Sequence, residues 1–117
     1  MNIEEYRTYC LSKNATTESF PFDETTLVFK VAGKMFALTK VDLFETVNLK
    51  CDPERSIELR ETFNGVNAGF HMNKKHWNTV TINSDVSREL LLELIDHSYD
   101  LVVKSLTKKV RDEYAIG

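Results

Sequence analysis

Hydrophobic and polar positions alternate most clearly through TLVFKVAGKMFALTK, where Leu27, Phe29 and Val31 are interleaved with Val28, Lys30 and Ala32. A period of two is the signature of a pleated strand, and Gly33-Lys34 supplies a tight reversal before Met35–Thr39. This segment therefore predicts a β-hairpin. Thr46–Cys51 reads as a third strand, with Val47 and Leu49 on one face and Asn48 and Lys50 on the other. A second hairpin is predicted from Gly69–Met72 and Trp77–Ile82, with Asn73–His76 near its tip.

Three segments carry a helical period instead. Ile3, Tyr6, Cys10 and Leu11 form an apolar stripe behind a capping Asn2, with Glu4 and Glu5 at the positive end of the helix dipole. Asp52-Pro53 opens a second helix to about Phe63, with Ile57 and Leu59 as buried candidates and Asn64-Gly65 as its end. The last helix begins near Ser87 and carries Leu91, Leu94, Ile95, Val102 and Leu106 towards its end, with a bend expected at His97-Ser98. NATTESFPFDETT reads as an extended connection, with Phe20 and Phe22 as anchors around Pro21. No element is assigned to the mixed-charge tail after Leu106.

The order α-β(3)-α-β(2)-α implies a two-layer α+β domain, an antiparallel sheet covered by helices on one face. If Leu27, Phe29, Val47, Leu49, Val80 and Ile82 face the helices, the pleat puts Lys30, Asn48, Lys50, Trp77, Thr79 and Thr81 on the open face.

Composition narrows the class. The chain has 117 residues, 42% of them apolar and 28% charged, as in a single globular domain. No apolar run approaches the ~20 residues of a membrane span, and the acidic N-terminus does not resemble a signal or transit peptide, so a cytoplasmic protein without membrane contact is expected. Cys10 and Cys51 lack CxxC or metal-type spacing and read as reduced, buried thiols. The net charge of −3 argues against indiscriminate coating of nucleic acid. Its distribution changes the picture, however, because Thr25–Val41 and Thr62–Ser84 contain no Asp or Glu while holding Lys30, Lys34, Lys40, Lys74 and Lys75. Local fields steer ligands more than the total does.

The candidate chemistry gathers in the second hairpin. Lys74 and Lys75 suit phosphates, His71, Asn73, His76 and Asn78 offer hydrogen bonds, and Trp77 offers a stacking surface. Lys30 and Lys50 would extend that site across the open face. The structural alternative has Trp77 packing on a loop, the asparagines satisfying turn backbone and the lysines keeping an edge soluble. His71 and His76 without a third ligand do not make a zinc site, so no metal or cofactor is expected. A Cys51 nucleophile would feel the Asp52 charge, which disfavours a thiolate, and no phosphate loop, serine elbow or carboxylate pair is present, so the chain is not expected to be an enzyme. A Trp77-centred face also suits an unknown protein partner or a weak homodimer, a monomer being the other expectation.

The same residues carry a family resemblance over nearly the whole chain. Phe20-Pro21-Phe22, Val28-Phe29-Lys30-Val31, Gly33-Lys34-Met35-Phe36-Ala37, Leu49 to Glu54 and, above all, Gly69 to Val80 resemble the MmcQ/YjbR family. Ser98-Tyr99 is similar too. Ala68, Phe70, Asp23 and Thr107 depart from it, standing where the family often has proline, tyrosine, glycine and proline. The resemblance implies a CyaY-like α/β fold and a DNA-binding label, with hairpins likened to paired wings. It makes DNA the favoured ligand. It does not carry frataxin-type iron binding across, because the first helix offers only Glu4 and Glu5 as acids.

Overall fold

The computed structural model describes residues 1–117. The elements run α1 (Ile3–Leu11), β1 (Thr16–Ser19), β2 (Thr26–Val31), β3 (Lys34–Lys40), β4 (Thr46–Lys50), α2 (Pro53–Thr62), β5 (Val66–Ala68), β6 (Trp77–Thr81), α3 (Arg88–Ser105) and α4 (Lys108–Glu113). One six-stranded sheet of order β1-β2-β3-β4-β6-β5 is antiparallel at every pairing. The α+β class read from the sequence is the class observed.

Each helix start follows its capping chemistry. Asn2 Oδ1 accepts the Glu5 amide at 2.8 Å, Asp52 Oδ2 the Arg55 amide at 3.0 Å, and Ser87 Oγ the Leu90 amide at 3.0 Å. Thr107 caps α4 in the same way, accepting from the Val110 amide at 3.2 Å. The β2–β3 turn is Ala32-Gly33, both at positive φ (48° and 82°), as the twist of a two-residue hairpin requires.

The pleat sorts the faces as the alternation indicates. Leu27, Phe29, Val47, Leu49, Val80 and Ile82 join Tyr6 and Cys10 of α1, Leu59 of α2 and Leu91, Leu94, Ile95 and Val102 of α3 in the main core. Tyr6 meets Phe29 edge-on at 5.5 Å, and Tyr99 meets Phe36 edge-on at 5.3 Å. A register shift between Phe29 and Lys30 leaves Phe36 as the extra residue of β3. Phe36 and Ala37 therefore both face the helices, and Met35 returns to the open side opposite Lys30.

That bulge explains Ser98. Beyond the last β3–β4 pair, Ala37 with Leu49, the Phe36 carbonyl and the Lys50 amide lie at the end of the ladder. The Ser98 hydroxyl of α3, fully buried, donates to the Phe36 carbonyl and accepts the Lys50 amide at 2.9 Å. α3 runs unbroken through His97-Ser98, and its buried serine serves the sheet.

Several local expectations are corrected. Thr16–Ser19 is an edge strand pairing with β2, because its backbone continues the β2 ladder. The first arm of the second hairpin is Val66–Ala68, and Gly69–Met72 turns out of the sheet. Ile57 is 56% exposed because α2 buries Ser56 and Leu59 instead. Phe20 and Phe22 are 48% and 64% exposed and anchor nothing in the core. The tail after Thr107 forms α4.

Two consequences are measurable. Ser98→Ala orphans a buried carbonyl and a buried amide, and should cost about 1–3 kcal/mol for each left unpaired, read as a lower midpoint in urea unfolding. His97 Nε2 accepts the Asp52 amide at 3.1 Å. Burial, then the Arg55 charge, hold the His97 pKa below its usual value against the opposing pull of Asp52, Asp100 and Glu93. Folding thus favours the neutral ring: its contribution is complete above the unfolded value of about 6.5 and is lost as pH falls below it. Thermal melts from pH 7 to 5 should show that loss, and His97→Gln should flatten it.

Candidate functional site

The face away from the helices is not bare. Val28, Leu38 and Trp77 form a second, small cluster there, with Met35 and Met72 packed against it. Beside it runs an open groove of about 880 Å³. Cross-strand pairs build its floor: Asn48 stands opposite both Leu38 and Thr79, Thr79 opposite Asn67, and Thr46 opposite Thr81. The Thr79 hydroxyl donates to Asn48 Oδ1 at 2.6 Å and accepts the Phe70 amide at 2.9 Å, drawing the turn after β5 over the sheet. Phe70 on that turn and Phe22 in the loop before β2 both line the groove, 70% and 64% exposed.

Gly69 permits this closure. A Cβ there would lie 2.8 Å from both the Trp77 Cβ and the Trp77 carbonyl oxygen. The Gly69 amide donates to that carbonyl at 2.8 Å. His71 follows at φ 58°, a left-handed position that histidine tolerates better than most residues, with its ring edge-on to Phe70 at 4.5 Å.

The proposed site residues part into three groups. Asn78 is buried behind the sheet, where its Oδ1 accepts Arg60 Nε at 2.8 Å and its Nδ2 donates to Ser56 at 3.2 Å. Asn73 caps the tip: its side chain accepts the Lys75 amide at 3.0 Å, and its carbonyl accepts the amides of His76 and Trp77. Trp77 points to the open side as the alternation indicates, but Met35 and Met72 leave it only 8% exposed. These three shape the hairpin. Lys74, Lys75, His71 and His76 are exposed, while Lys30 and Lys50 are half-buried on the open face. His71 belongs to the groove lining and His76 to the hairpin tip.

Ion pairs are confined to the helix side and the tail. The five ion pairs, Arg7–Glu18, Lys13–Asp96, Arg55–Glu93, Arg88–Glu5 and Lys108–Asp112, each use at least one helix or helix-flanking residue on the covered side or in the tail. None involves Lys30, Lys34, Lys40, Lys50, Lys74 or Lys75. Asp23 is the one acid lining the groove. The amides of Thr25 and Thr26 and the Thr26 hydroxyl donate to its carboxylate at 2.9, 2.6 and 3.0 Å, and these bonds hold its pKa below the usual range.

No three His, Cys, Asp or Glu side chains converge. Burial pushes the Cys10 thiol up to about 12 and raises that of Cys51, with Asp52 adding to the latter. A raised thiol pKa disfavours the nucleophilic thiolate.

Two residues of the site carry no role in the sequence pattern, Phe70 and Arg60, and Phe22, expected to anchor the connection around Pro21, lines the groove instead. Arg60 is the latch of the hairpin, donating to Asn78 Oδ1, to the Lys74 carbonyl at 2.6 Å and to the Trp77 carbonyl at 3.2 Å. An arginine on the buried flank of α2, level with an inward-pointing asparagine, was the available signal. Arg60→Ala should speed hydrogen exchange at the His76 and Trp77 amides while leaving β2–β3 amides unchanged, because a charged donor worth about 1.5–3 kcal/mol per bond is lost at one place only.

The comparisons agree with one another. The YjbR family profile matches residues 11–101. The Escherichia coli O157:H7 protein YbdF is 38% identical over 91 residues, covering 77% of this chain and 75% of its own. YjbR of Escherichia coli K12 is 32% identical over 112 residues, covering 95% of each chain. A crystal structure of a Deinococcus radiodurans protein shares 41% identity and a TM-score of 0.93, over 99% of this chain and 89% of that one. With the matched region spanning both hairpins and the groove they build, the chain belongs to the YjbR family.

Proposed function

We propose that this protein is a non-enzymatic binding module whose open sheet face and basic hairpin take nucleic acid. The observation that carries this reading is the set of lysines without a salt bridge: Lys30 and Lys50 on the open face, Lys40 beside it with Asp23 nearby, and Lys74 and Lys75 at the hairpin tip. Unpaired cations on one side of a molecule of net charge −3 make a local positive field that a phosphate backbone would complete. The groove floor adds threonine hydroxyls and asparagine amides, which serve sugars and bases as neutral donors and acceptors.

A protein partner is the second reading, favoured by the exposed apolar side chains of Phe22 and Phe70 along the same groove. The two differ in their response to salt. Fluorescence anisotropy of labelled oligonucleotides, titrated with salt, should give log K falling against log[salt] with a slope of about −1.8 to −2.7 for duplex and about −1.4 to −2.1 for single strands, as two to three neutralised phosphates would produce. Lys74→Ala with Lys75→Ala should make that slope shallower. Absence of any salt-sensitive binding at low ionic strength would remove the nucleic-acid reading and leave the protein partner.

A further inference from the structure

Resting on that reading, we infer that the groove is built for single-stranded nucleic acid, whose bases stack on Phe22 and Phe70 while lysines of the same face meet its phosphates. Two phenylalanines, exposed at 64% and 70%, border one groove. Neither is held there by core packing. Phe70 is carried by a turn pinned to the sheet through its own amide on Thr79 and through Gly69 on Trp77, so its ring is presented by rigid backbone. Phe22 is followed by the Asp23 cap, which ties the loop to the start of β2. Each aromatic is thus placed from an opposite side of the groove, one before β2 and one after β5.

The floor between them crosses β2, β3, β4, β6 and β5, four inter-strand gaps of about 4.8 Å each. That span of about 19 Å is room for a short run of nucleotides. Duplex DNA keeps its base faces stacked inside the helix, where exposed phenylalanines cannot reach them without unstacking. Aromatic platforms in a groove with unpaired lysines are the elements by which proteins hold single strands with little sequence preference. The charge argues for this occupant over an apolar peptide: Lys30 and Lys50 share the groove's face without a salt bridge, and Lys40 lines the groove itself, beside the anionic Asp23.

The test uses the whole chain, with oligothymidylate, its duplex with oligoadenylate, and an abasic phosphodiester strand of equal length as probes. Trp77 is the only tryptophan and packs with Met72, a groove-lining residue, so its emission reports occupancy without a label. The expected result is tighter binding of oligothymidylate than of either other probe. Phe22→Ala and Phe70→Ala should each weaken it about tenfold. Neither should change the salt slope or the weak binding of the abasic strand, and Phe70→Tyr should restore affinity. Both side chains are exposed, so thermal melts of the alanine variants should match the parent. Equal affinity for duplex and single strand, unaffected by either alanine, would overturn the stacking inference and leave the nucleic-acid reading standing. Binding of no probe at low salt would overturn both. Self-association in sedimentation velocity that the alanine variants abolish would give the groove to a second copy of the chain and overturn the inference as well.

Discussion

The fold depends on α3 lying across the middle of the sheet, with one hydroxyl at the contact. Ser98 Oγ joins the helix to the end of the β3–β4 ladder by serving the Phe36 carbonyl and the Lys50 amide together. Without it, the bulge at Phe36 would bury unpaired backbone polar groups beneath a helix, where they cost more than an ordinary hydrogen bond contributes. The bulge in turn keeps Met35 on the open side, where it covers Trp77. A polar atom in the main core thus helps to set which residues pack on the far face.

The other long-range polar contacts extend the same arrangement. His97 ties α3 to the start of α2, and Arg60 ties α2 to the hairpin tip. From α3 to Lys74, one chain of hydrogen-bonded elements fixes the hairpin from behind the sheet. The side chains that could meet a ligand are then left on the other face, largely free of ion pairs. Rigid support on one side and unpaired cations on the other are complementary features of a binding surface.

Family membership is consistent with this division. Two of the residues that depart from the family's usual pattern find local partners here: Asp23 caps the start of β2 and Thr107 caps α4. Each makes its turn by hydrogen bonding rather than by the conformational freedom of glycine or the constraint of proline. Phe70, in the third departure, stays at the groove margin with its ring exposed.

The sequence by itself determined the class of fold, the strand faces and the starts of α1, α2 and α3. Period two and period 3.6 are backbone geometry, and caps act within three residues of each other. Those signals are local, so they are legible without neighbours. They were enough to send Val47 and Val80 inward and Trp77 outward. Tertiary structure alone decided how exposed each outward residue is. Trp77 reads as an anchor on an open face, yet Met72 from a turn and Met35 from beyond a bulge cover it. Phe22 reads as an anchor of the connection around Pro21 and is solvent-facing at the groove margin. Asn78 and Arg60 find each other across 18 residues. Contacts of that kind form only when a hairpin and a helix are brought to the same side of a sheet, and no local pattern encodes that meeting.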